Sequence, residues 1–209
     1  MVIEMEIKAR AETDDCKNRM ETIAGEGTAF VKDDAYWFPR DEVFSAKDRP
    51  GGETRSGLRV RREKKAGKEA ILVTWKKKEQ RDGMEINEEK EFAVSDGALF
   101  EELLYSLGLR KKTVKHKEGF FWKICGISAE LAEVSGIYGE RADSAHGPKN
   151  LGWFLELEII TGAGGAVEET ETEAKTRLLA LLEKAGIDRS MIESRYYTEL
   201  LAEQYRRIV

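Results

Sequence analysis

The clearest signal in this chain is the alternation of apolar and charged positions over short segments. Ile3, Met5 and Ile7 alternate with Glu4, Glu6 and Lys8, so a strand here carries all three charges on one face. The period returns in Leu58-Arg59-Val60-Arg61, Thr74-Trp75-Lys76-Lys77-Lys78, Glu89-Lys90-Glu91-Phe92 and Leu155-Glu156-Leu157-Glu158-Ile159. Together with turn residues, this pattern predicts strands over 1–10, around 35–38 within 29–39, and over 58–63, 69–78, 85–94, 112–124, 127–135 and 153–161, with hairpins across 64–68 and Cys125-Gly126. Helical spacing predicts a helix over 13–24, capped by Thr13 or Asp14 and stopped by Gly25. A second runs from a Ser95 cap to Gly108, with Phe100, Leu103, Leu104 and Leu107 expected in the core. Two more amphipathic helices are expected over 174–184 and 190–206. Residues 48–57, around Pro50-Gly51-Gly52, and 136–152 read as loops.

About eight strands in mostly hairpin order point to an α+β fold whose antiparallel sheet curls or closes. For any single strand, a charged face is ordinarily a solvated one. Four helices are few to cover the apolar face of so large a sheet. If the sheet closes, the helices pack outside and the charges point inward. Such an interior stays wet, because drying it would cost about several kcal/mol per ion.

Composition narrows the class. The 209 residues, 41% hydrophobic and 36% charged, suit one globular domain spanning 1–209. A net charge of −5 argues against a general nucleic-acid or membrane-surface binder, while allowing a local basic site. No apolar run approaches the roughly 20 residues of a membrane span. No basic segment followed by an apolar one opens the chain, so a cytoplasmic protein is expected. Cys16 and Cys125 are expected to be reduced, inert thiols. His116 and His146 are too few for a histidine metal site, which leaves a hard ion held by oxygens.

The motifs, taken in order, resemble the CYTH superfamily, the triphosphate tunnel metalloenzymes. Glu4-x-Glu6-x-Lys8 resembles the family's ExExK opening. Asp34-Ala35-Tyr36-Trp37-Phe38, Leu58-Arg59-Val60-Arg61-Arg62-Glu63, Leu72-Val73-Thr74-Trp75-Lys76, Glu89-x-Glu91 and Lys115-x-Lys117 are similar to successive strands. Leu151-Gly152-Trp153-Phe154-Leu155-Glu156-Leu157-Glu158 resembles the last strand, and Arg195-Tyr196-Tyr197-Thr198-Glu199-Leu200-Leu201 the tail of the CyaB-like, class IV adenylyl cyclase branch. Asn87 stands where many members have Arg, Lys117 where Arg is usual, and Ala132 where an Asp is expected. Glu130 shares the strand face of Ala132 and can substitute. Residues 137–150 are an insertion.

The resemblance implies an eight-stranded antiparallel closed β-barrel, a tunnel with a charged interior flanked by helices. It implies Mg²⁺ or Mn²⁺, one or two ions, bridging a bound triphosphate. Lys8, Arg59, Arg61, Lys76, Lys78, Lys115 and Lys117 are the candidate phosphate ligands, with Lys8, Arg59 and Lys76 catalytic. Glu4, Glu6, Glu89, Glu91, Glu156 and Glu158 are the candidate metal ligands. Tyr36, Trp37 and Trp153 could stack an adenine, although Trp153, like Trp75, lies on the apolar parity. Arg195 and Tyr196 are expected to dock the last helix over a tunnel mouth. The leading expectation is cyclisation of ATP to cyclic AMP and pyrophosphate. The alternatives are hydrolysis of inorganic or thiamine triphosphate, or phosphate binding without catalysis. The partner is thus a small-molecule triphosphate, with no membrane and no nucleic acid, and a homodimer is left open.

Overall fold

The computed structural model describes residues 3–39, 58–81, 83–139, 147–161 and 170–206. Eight strands form in chain order: β1 Ile3–Arg10, β2 Thr28–Pro39, β3 Leu58–Lys65, β4 Lys68–Arg81, β5 Met84–Ala93, β6 Leu109–Ile124, β7 Ile127–Tyr138 and β8 Lys149–Thr161. The helices are α1 Thr13–Ala24, α2 Gly97–Ser106, α3 Glu171–Lys184 and α4 Tyr197–Arg206. The strands close into a barrel in the order β1-β5-β4-β3-β2-β6-β7-β8. Each neighbouring pair is antiparallel. Closure removes the exposed edges that an open sheet would present.

The two tight hairpins are where the sequence predicts them. Ala66-Gly67 and Cys125-Gly126 each take two successive positive φ angles, 50° and 74° in the first and 47° and 84° in the second. That backbone matches the twist of the strands it joins.

The alternation resolves into two faces. Outward-facing Met5, Ile7, Ala9, Ala129, Leu131, Leu155, Leu157 and Ile159 pack with Cys16 and Met20 of α1 and with Ala174, Leu178, Leu181 and Leu182 of α3. The charged positions of the same strands face the tunnel. Cys16 is buried in this outer core, and burial pushes its thiol up to about 12, which makes it unreactive. Cys125 is a free, exposed thiol.

Several expectations need correction. α2 is capped by Asp96, whose carboxylate accepts from the Leu99 N–H at 3.0 Å, rather than by Ser95. On α2 only Leu104 enters the core, beside Val60 and Val73 with Phe100 at its margin, while Leu103 and Leu107 are 50% and 67% exposed. The expected 136–152 loop is shorter, because β7 and β8 continue into it on both sides. Gly136 reads as a breaker but lies in β7 because no side chain fits there; a Cβ would stand 2.3 Å from the Val114 carbonyl oxygen. The expected 190–206 helix begins only at Tyr197. Before it, Ile192 bridges to Ala9 and the Glu193 N–H donates to the Lys8 carbonyl at 2.8 Å, which spends the segment on pairing with β1. α1 starts as expected, although Glu12 stands at its cap position without a side-chain bond. α3 starts three residues earlier than expected, at a Thr170–Glu173 capping box. The predicted 48–57 loop lies outside the described residues.

Candidate active site

Strand register decides which charges meet inside the tunnel. Lys8 stands opposite Glu156, Glu6 opposite Glu158 on one side and Glu85 on the other, and Glu4 opposite Asn87. Arg59 stands opposite Thr74, which in turn faces Glu91. Asp34 sits between Arg61 on β3 and Lys115 on β6. Lys76 and Lys78 occupy register positions opposite Glu89 and Asn87. The side chains of these two lysines lie outside the described residues.

Three networks result. In the first, Arg61 donates to both oxygens of fully buried Asp34, at 2.6 and 2.9 Å, and Lys115 approaches the same carboxylate at 3.1 Å. Burial alone would raise the Asp34 carboxyl, but Arg61 and then Lys115 overcome it and hold it well below its ordinary value. In the second, Lys117 bridges Glu130, at 2.9 Å, and Glu156, and Lys32 also pairs with Glu130 and lies 3.5 Å from Glu63. Against the opposing effect of burial, Lys117 brings the Glu156 carboxyl down to about 2 and, with Lys32, holds Glu130 well below its ordinary value. Burial, with Arg61 nearby, lowers the Lys32 ammonium.

The third network is looser. Arg59 donates to Thr74 Oγ1 at 2.9 Å and lies 3.5 Å from Glu89 and 3.6 Å from Glu91. Glu89 and Glu91, on β5, therefore lie near Arg59, and β5 in turn pairs with β1, which carries Glu4 and Glu6. The other four candidate metal carboxylates, Glu4, Glu6, Glu156 and Glu158, lie on the paired strands β1 and β8.

Among the described residues, no three His, Cys, Asp or Glu side chains come close enough to enclose a metal ion. The donor set still suits a hard cation that completes its shell with phosphate oxygens and water. Asn87 supports this fit. Its amide nitrogen donates to Glu4 at 3.1 Å, while its buried carbonyl oxygen has no partner among the described residues, leaving a hard oxygen donor beside a carboxylate.

Sequence reasoning gave no site role to Lys32, Asp34, Glu63, Glu85 or Tyr197, all on the tunnel side. Asp34 was visible within a motif, and Lys32 shares its parity on β2. The aromatic candidates divide. Tyr36 faces inward, with its hydroxyl 3.5 Å from Asp34. Trp37 is buried in the outer core with Ala35, Val60, Val73 and Leu104, and Trp153 packs against the α1–α3 core.

This closed, antiparallel barrel with carboxylates and cations facing each other across its interior defines a class of tunnel proteins. A CYTH domain matches residues 2–197, and the chain belongs to that family. No curated protein matches it. Solved structures share the fold. The PH1819 protein of Pyrococcus horikoshii superposes with a TM-score of 0.69 at 23% identity, over 96% of this chain and 99% of that one. A candidate adenylate cyclase from Vibrio parahaemolyticus gives 0.67 at 15% identity, over 96% and 98%. HpAC1 from Hippeastrum, a candidate adenylyl cyclase with a dominant triphosphatase activity, gives 0.59 at 14% identity, over 98% and 96%. Among the described residues, no helix is long and apolar enough to cross a membrane.

Proposed function

We propose that this chain is a divalent-metal-dependent enzyme that binds a triphosphate in its tunnel and hydrolyses it, with inorganic or thiamine triphosphate as the substrate class. The observation that carries this reading is the mixed-charge lining. Lys8, Arg59, Arg61, Lys115 and Lys117 come from three strands and face carboxylates across one interior. A triphosphate bearing about four negative charges would be neutralised by such a set, with Arg as a bidentate partner and Lys as a point charge.

Glu4, Glu6, Glu156 and Glu158 would hold Mg²⁺ or Mn²⁺, with the Asn87 carbonyl beside them. The ion, when bound, neutralises phosphoryl charge and lowers the pKa of a bound water. The chain's own cations do the positioning. Arg59, hydrogen-bonded to Thr74, presents its guanidinium to the phosphates, and Lys8 and Lys115 approach from the opposite strands. Positioning and electrostatics account for most of the catalysis in such transfers.

Hydrolysis is preferred to cyclisation because two of the three aromatic residues available to stack an adenine, Trp37 and Trp153, face the outer core. Cyclisation of ATP is the second reading. Phe30 and Phe121, on the tunnel parity at the far end, favour it, with the Lys65 ammonium 3.1 Å from the Phe121 ring centroid. The test is turnover of inorganic triphosphate, thiamine triphosphate and ATP, each with Mg²⁺ or Mn²⁺, reading orthophosphate, pyrophosphate and cyclic AMP separately. Orthophosphate without cyclic AMP is expected. Cyclic AMP with matching pyrophosphate would establish the second reading, and binding without product would leave a phosphate-binding protein.

A further inference from the structure

One end of the tunnel is filled by the start of α4. Tyr197, Leu200 and Leu201 pack there with Val134, Leu151 and Phe154. The fit is tight, since a Cβ on Gly136 would stand 2.8 Å from Leu201 Cδ1. The Tyr197 ring meets Phe154 edge to face, with centroids 5.1 Å apart. The Lys8 and Lys115 ammonium groups lie 4.4 and 4.8 Å from the Tyr197 ring centroid. Lys8 also donates to the Arg195 carbonyl at 2.6 Å, which ties the segment before α4 to the site.

The Tyr197 hydroxyl is the unsatisfied group of this arrangement. The residue is 8% exposed, and its hydroxyl has no hydrogen-bond partner of full geometry among the described residues. It is directed at the tunnel. The carboxylates that bear on it are those of Glu156, which lies within loose hydrogen-bonding reach, Glu6 and Glu130. Glu156 and Glu130 are already engaged by Lys117 and Lys32. A buried donor left unpaired is costly, and an acceptor supplied by a ligand would remove that cost.

We propose that Tyr197 contacts the substrate, donating its hydroxyl to a phosphoryl oxygen of the triphosphate at the filled end of the tunnel, beside Lys8 and Lys115. An acceptor-only anion drawn to two ammonium groups is the ligand this corner recognises. The assignment rests on the triphosphate reading above and adds a neutral donor to its cations.

The experiment compares the wild-type chain with Tyr197→Phe, which keeps the ring against both lysines and removes only the hydroxyl. The probe is imidotriphosphate, a non-hydrolysable inorganic triphosphate analogue, titrated calorimetrically with Mg²⁺ present, and thermal melts are recorded without ligand. Wild type is expected to bind, and Tyr197→Phe to bind about tenfold to hundredfold more weakly, as for loss of a hydrogen bond to a charged group. The ligand-free melting temperature should hold or rise, because the variant removes an unpaired buried hydroxyl. Affinities within twofold would overturn the proposal while leaving the triphosphate reading in place. A fall in ligand-free melting temperature of more than about 4 °C would make the hydroxyl structural and overturn it too. No binding by wild type would overturn the triphosphate reading and this proposal with it.

Discussion

The two walls of the tunnel are built from the same residue types and differ in how they are tied. On the wall formed by β2, β6, β7 and β8, the Asp34 side chain is 0% exposed and that of Lys117 is 3%, and ion pairs run from strand to strand. On the wall formed by β3, β4 and β5, Arg59 reaches Glu89 and Glu91 only at 3.5 Å and beyond, and the Glu91 side chain is 37% exposed. The first wall holds its charges in fixed partnerships. The second keeps Arg59 hydrogen-bonded to Thr74 and near carboxylates at longer reach. The same residue types can thus be locked in close pairs on one side and held at longer reach on the other. The desolvation already spent decides which.

The comparison breaks most completely in acid. Glu156 in the folded protein titrates at about 2 against an ordinary 4.5, and Asp34 and Glu130 are also depressed. The unfolded chain therefore binds more protons than the folded one below the ordinary value. The stability these groups supply is complete above about pH 5 and is lost as pH falls toward 2. The melting temperature should be flat from pH 7 to 5 and fall steeply below 4.5. A flat profile down to pH 3 would show that the first wall is not held by its ion pairs.

Asp34→Ala tests the same wall at one residue. It leaves Arg61 and Lys115 buried without their shared carboxylate, which should cost about 3–5 kcal/mol in urea unfolding. A loss below about 1 kcal/mol would mean that water or Tyr36 takes over, and would put Asp34 in the same position as an exposed ion pair.

Arg59→Ala sharpens the contrast from the other side. Its stability change should be smaller than that of Asp34→Ala. Its kcat/KM for the triphosphate should fall about tenfold, as a raised KM if the contact is uniform, or as a lowered kcat if it tightens in the transition state. An unchanged kcat/KM would remove Arg59 from the site. A stability loss matching that of Asp34→Ala would erase the difference between the walls.

Much of this arrangement is legible in the chain, for a physical reason. A period of two survives in any strand that separates a wet interior from a dry exterior, so Glu4, Glu6, Lys8, Arg59, Arg61, Glu156 and Glu158 declare their face without a structure. β2 declares less. Lys32, Asp33 and Asp34 are consecutive, and only the pairing of Asp34 with Arg61 and Lys115 shows that Asp34 and Lys32 face inward while Asp33 meets His116 at 2.8 Å on the outside. Glu63 sits among other charges and becomes a tunnel residue only through register, whereas Glu85, between Met84 and Ile86, carries the period of two. Tyr197 is harder still, because its place depends on a helix docking across a barrel end far away in sequence. Periodicity also misleads where burial is partial, and α2 is the case in point.

The smallest effect belongs to α2, which packs outside the barrel over β2, β3, β4 and β6. Helical spacing groups Phe100, Leu103, Leu104 and Leu107, and the structure buries only Leu104 fully. An apolar stripe broader than the contact it makes cannot be told from a core stripe by sequence, because spacing gives direction around the helix and not the width of what it packs on. Leu103→Ala should therefore change stability by no more than about 0.5 kcal/mol in urea unfolding, as for a surface position. A loss in the range of about 2–5 kcal/mol, typical of a buried leucine, would mean that α2 sits deeper than its exposure indicates.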